Sequence, residues 1–94
     1  MNTLAEKVGA TIAFLRHATG LSREELAEKL KQKYGWLICD WHLVRRIEEG
    51  LTELPENRLK DVYGALDFSR KTFIWCSLEI AKLKKALAVT ARRA

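Results

Sequence analysis

The chain is 94 residues long, 48% hydrophobic and 31% charged, with one proline and few runs of strand type. It is long enough to close one core but not two, and apolar enough to fold, which excludes a disordered chain and points to a single all-helical domain. Net charge is +5, but residues 1–67 hold 10 Lys/Arg against 11 Asp/Glu while residues 68–94 hold 7 against 1, so phosphate attraction would come from the tail and a few local residues, not from a basic body.

No apolar run approaches the ~18 residues of a membrane span, and the N-terminus carries Glu6 without a basic-then-apolar leader. Cys39 and Cys76 are too few for a disulfide framework and fit a reducing compartment, so the expected location is cytoplasmic.

Thr3-x-x-Glu6 is a capping box that starts a first helix, with Leu4, Val8, Ile12 and Leu15 along one face and Gly20 as its stop. Ser22-x-x-Glu25 is a second capping box only two residues later. Leu26, Ala27 and Leu30 form the buried stripe of this second helix, Lys29, Lys31 and Lys33 its outer side, and Gly35 ends it. Trp36-Leu37-Ile38-Cys39 reads as an apolar connector packed under the turn.

The third helix runs from Asp40, a good N-cap, to Gly50, a good C′ residue. Val44 and Ile47 lie on one side with Leu43 beside them, while His42, Arg45 and Arg46 project from the other. Glu48 falls next to the apolar side, an odd place for a lone carboxylate. A short helix with a buried stripe and outward arginines has the form of a DNA reading head, or of an ordinary amphipathic helix with a solvated face.

Pro55 suits the first position of a fourth helix, whose inward face is Leu59, Val62, Tyr63 and Leu66. Asp67 or Ser69 caps a fifth helix, in which Phe73, Cys76, Ile80, Leu83, Leu87 and Thr90 make a heptad seam. That stripe must be buried against the body or a second copy, and Phe73, Cys76, Ile80, Leu83 and Leu87 are the expected dimerisation residues.

In order and spacing these residues resemble the Xre/Cro/cI family of helix-turn-helix regulators over roughly residues 4–66. Arg16-x-x-x-Gly20-Leu21-Ser22-x-x-Glu25-Leu26-Ala27 is similar to that family's first helix, break and scaffold helix. Val44-x-x-Ile47-Glu48-x-Gly50-x-x-x-x-Pro55, ending at Leu66, is similar to its recognition helix, loop and fourth helix. The resemblance implies a lambda-repressor-like helix-turn-helix over residues 1–67, followed by a dimerisation helix over 68–94. It also implies a structural ion pair between Arg16 and Glu48. The implied function is that of a sequence-specific transcriptional regulator, a repressor of bacterial, phage or mobile-element type acting as a homodimer on operator DNA. Arg45 and Arg46 would meet bases or phosphates, Trp41 and His42 would line the groove, and Arg23 would meet a phosphate.

Two features depart from the family pattern. Lys31 to Cys39 lengthens the scaffold helix or the turn, where about four turn residues are usual for the family. Trp41, His42 and Leu43 also stand where small polar residues are usual. A competing reading follows from the near-neutral body and the apolar Trp41/Leu43 pair: a protein-interaction module, such as an antiactivator or antitoxin, on the same fold.

Cys39-x-x-His42 with Cys76 and His17 lacks the paired ligand spacing of a zinc site. There is also no nucleophile–base set, phosphate-cradling loop or paired carboxylate. The sequence therefore points to no metal, no cofactor and no enzyme.

Overall fold

The computed structural model describes residues 4–79 and 82. They form five helices, with no strand among the described residues: α1 (Leu4–Thr19), α2 (Arg23–Tyr34), α3 (Trp41–Glu48), α4 (Glu56–Ala65) and α5 over residues 70–79.

Local capping chemistry sets most of the boundaries. At the end of α1, the Gly20 N–H reaches His17 O at 3.1 Å and the Leu21 N–H reaches Arg16 O at 3.2 Å, with Gly20 at φ 75°. Ser22 Oγ accepts from the Glu25 N–H at 3.1 Å, and the Glu25 carboxylate accepts from the Ser22 N–H at 3.0 Å, completing the capping box of α2. Those hydrogen bonds, to the Ser22 backbone first, lower the Glu25 carboxyl below its ordinary value. Gly35 closes α2 in the left-handed conformation. Asp40 Oδ1 accepts from the Leu43 N–H at 3.1 Å to open α3.

Two boundaries differ from the sequence reading. Pro55 is the N-cap of α4, one residue before the expected position, and has no capping side-chain bond. Asp67 ends α4: it takes φ 62°, its N–H reaches Gly64 O at 3.0 Å, and the Phe68 N–H reaches Tyr63 O at 2.9 Å. Ser69 therefore caps α5, its Oγ accepting from the Thr72 N–H at 3.2 Å. Thr3 of the first capping box lies outside the described residues.

α3 packs on both α1 and α2, and α4 packs on α2. Ile12 and Leu15 of α1, Leu26 and Leu30 of α2, Val44 and Ile47 of α3, and Val62 and Leu66 from α4 and its cap share one core. Leu59, expected inward on α4, is only partly buried.

The C-terminal helix corrects the expected seam. Phe73 and Cys76 are 4% and 7% exposed and belong to the core of this chain, with the Phe73 ring 5.5 Å from that of Tyr63. The core left open by α1 and α4 takes in this stripe, so these two residues are not available to join a second copy. Ile80, Leu83, Leu87 and Thr90 lie outside the described residues. On α5 the exposed large apolar residues are Ile74, Trp75 and Leu78, on the side away from Phe73 and Cys76.

Among the described residues no helix is long and apolar enough to cross a membrane.

Candidate nucleic-acid interface

α3 is short, about two turns, too short to hold its shape alone, so its position depends on what grips it. The main grip is Glu48. Arg16 Nε donates to Glu48 Oε2 at 2.6 Å and Arg16 Nη2 to Oε1 at 3.2 Å, with both side chains buried (7% and 2% exposed). Arg23 Nε adds a third bond, to Oε1 at 3.0 Å. One carboxylate at the end of α3 thus takes donors from the end of α1 and the start of α2. Arg16 Nη1 also donates to Leu21 O at 3.0 Å, tying the α1–α2 break into the same network. No buried side-chain N or O atom lacks a partner among the described residues. The network orients α3 more than it stabilises the domain, because desolvation of the charges offsets much of their attraction.

Arg23, expected to meet a phosphate, also has a partner inside the fold. Its Nε is turned inward on Glu48, while the half-exposed side chain borders a hollow of about 440 Å³ shared with His17, Ser22, Glu24 and Trp41. The spacing of Glu48 to Arg16 gave no sign of this second partner. Arg23 reaches Glu48 because α3 crosses the start of α2, which only the tertiary packing decides.

The second grip is a close backbone approach, not visible in the apolar pattern. Gly9 sits on the face of α1 against the end of α3, where a Cβ would lie 2.2 Å from Ile47 O and 2.6 Å from Glu48 O. Gly50, at φ 76°, meets α1 one turn earlier: a Cβ there would be 2.6 Å from Glu6 Cγ. The signal for Gly9 was present in the sequence as a glycine inside an otherwise good helix, which marks a close contact as often as a weak point.

With Val44, Ile47 and Glu48 buried and Leu43 half-buried, α3 turns Trp41, His42, Arg45 and Arg46 outward. The Trp41 and His42 rings stack, with centroids 3.7 Å apart and planes 28° apart. Arg45 Nε donates to Glu49 Oε1 at 3.1 Å on the surface. His42, Arg45, Arg46, Glu49 and Leu51 line an open hollow of about 520 Å³ along this face. Among the described residues Arg46 has no ion pair, which leaves its guanidinium fork for an outside acceptor.

α2 runs through Tyr34, so the residues beyond Lys31 extend the helix first and then form a connection over 35–40. That connection is not packed throughout as expected. Trp36 and Cys39 are buried, but Leu37 and Ile38 are 93% and 86% exposed. Lys29, expected on the outer side of α2, instead donates to Ala65 O at 2.9 Å at the end of α4.

Burial, and then the negative charge of Asp40, push the Cys39 thiol up against the opposing pull of Lys31 and Arg58. Cys39 thus behaves as a small buried hydrophobe, not a nucleophile. Among the described residues no three His, Cys, Asp or Glu side chains gather where they could hold a metal ion.

Comparison with protein-family models, with curated proteins and with solved structures finds no match.

Proposed function

We propose that the protein is a sequence-specific DNA-binding transcriptional regulator, with α2 and α3 acting as a helix-turn-helix and α3 as the reading helix. The observation that carries the reading is the attachment of α3. Its inner side is fixed to two other helices through Glu48, while Trp41, His42, Arg45 and Arg46 share the outward face. A rigidly held helix with cations and aromatic rings on its free face is what base-edge reading requires.

The resemblance to Xre/Cro/cI regulators supports the same reading, and repression from a pseudo-palindromic operator in the cytoplasm follows from it. A homodimer would bring two α3 helices to successive major grooves, ~34 Å apart. With Phe73 and Cys76 committed to the monomer core, Ile80, Leu83 and Leu87 are the seam residues left to join the copies.

The near-neutral body favours a second reading, a protein-interaction module of antiactivator or antitoxin type that does not read DNA.

Selection of bound DNA from a random duplex pool at two salt concentrations separates the two. Arg46→Ala is expected to lower affinity for the selected site by about 1–3 kcal/mol, with non-specific binding nearly unchanged. Loss of a phosphate contact would instead weaken all sequences alike and flatten the salt dependence. A folded protein that enriches no site would sink the regulator reading.

A further inference from the structure

Among the described residues, Glu49 is the one carboxylate lining the hollow it shares with His42, Arg45, Arg46 and Leu51. Its place there is fixed from both sides. The residue before it, Glu48, is bound to Arg16 and Arg23, and the residue after it, Gly50, sits tight against α1. Glu49 itself is the C-cap of α3, still helical at φ −84° and ψ −1°, and its N–H donates to Arg45 O at 2.9 Å. Its side chain then meets the same residue, Oε1 accepting from Arg45 Nε at 3.1 Å. Arg45 and Glu49 are thus joined twice, by main chain and by side chain.

An exposed ion pair between residues four apart on a helix adds little stability. Its consequence lies in what it does to the arginine. The bond takes up Nε and leaves Nη1 and Nη2 without a partner among the described residues. A side chain held in this way has fewer rotamers to lose when it binds. The carboxylate also cancels much of the guanidinium charge at a distance, so the pair attracts phosphate weakly. A phosphate asks for charge and accepts a donor from many directions. A guanine edge instead asks for two N–H donors in register with O6 and N7. An oriented and largely neutralised arginine suits the second acceptor better than the first.

We propose that Glu49 is a positioning residue for base recognition. It holds Arg45 for paired donation from Nη1 and Nη2 to O6 and N7 of one guanine, and keeps that arginine from the phosphates. The inference rests on the DNA-binding reading of α3.

The test takes the full chain and the duplex it selects from a random pool, and reads affinity against base identity and against salt. Arg45→Ala should lose a preference for one guanine of roughly tenfold. Glu49→Ala should lose roughly fivefold of that same preference. It should also bind unselected DNA more tightly, with a log–log salt slope steeper by about 0.9, because the released arginine turns to a phosphate. Glu49→Gln keeps an acceptor for Nε without the charge, and should retain most of the preference while still binding unselected DNA more tightly. Both Glu49 variants should melt with the wild type, since the pair lies on the surface. A second arm leaves the protein unchanged: 7-deazaguanine at that position lacks the N7 acceptor, and should weaken the wild type while leaving Arg45→Ala unaffected. A Glu49→Ala protein with the guanine preference of the wild type, or an Arg45→Ala protein weakened alike on all duplexes, overturns the proposal and leaves α3 to read through Arg46. A selected site with no guanine that depends on Arg45 does the same. A wild type that enriches no duplex overturns the DNA-binding reading along with it.

Discussion

Gly9→Ala sets two effects of opposite sign against each other. In a helix interior, alanine is favoured over glycine by about 1 kcal/mol through backbone entropy. Against this, the added Cβ would sit 2.2 Å from Ile47 O, 2.6 Å from Glu48 O and 2.8 Å from Glu48 C. All three are backbone atoms, so no side-chain rotation relieves the contact, and α3 must move by roughly 1 Å to restore van der Waals distance. Overpacking of this kind costs about 1–3 kcal/mol, occasionally more. Here the shift also strains the Arg16–Glu48 bonds, since the displaced carbonyls belong to Ile47 and Glu48. The clash should win by about 2 kcal/mol, which in a domain of this size lowers Tm by roughly 8–16 °C. Gly64→Ala is the control. Its Cβ would meet the Tyr34 hydroxyl at 2.7 Å, the far end of a side chain that can swing away, so the helical gain is kept and Tm should hold or rise. Thermal unfolding followed by circular dichroism reads both. A Gly9→Ala protein as stable as the wild type would show that α1 and α3 do not approach so closely, and would remove the second grip on α3.

Glu48→Ala strands Arg16 as a buried, unpaired cation and should cost about 3–5 kcal/mol in urea unfolding. Arg16→Ala should cost less, because Arg23 still holds Glu48 at 3.0 Å, and the double variant should cost less than the two singles together. Strict additivity in that cycle would mean that the two side chains do not interact. Phe73→Ala should destabilise by about 3–5 kcal/mol to the same extent at every protein concentration, since the ring packs in its own chain's core. A destabilisation that fades as concentration rises would instead place Phe73 at a contact between copies.

What the sequence by itself determined about this protein is what acts over one or two turns of chain. The Ser22–Glu25 box, the Asp40 cap, and the stops at Gly20, Gly35 and Gly50 follow from hydrogen-bonding groups a few residues apart, and the structure contains each of them. The buried stripes of α2 and α3 follow from helical periodicity in the same way. The oddity of Glu48, a carboxylate beside an apolar face, was legible too, but Arg16 as its partner was implied by the family resemblance and not by the pattern. Only the tertiary structure decided which faces met. Periodicity shows that Phe73 and Cys76 must be covered, but chain order does not show whether by α4 or by a second copy. Arg23 turned to Glu48, and Lys29 to the end of α4, because the crossing of helices set the distances. Leu37 and Ile38 look as buriable as Trp36 and Cys39 by composition. They stand in water because the chain bends at 37 and 38, which puts both residues at the tip of the connection while Trp36 and Cys39 on either side reach the core.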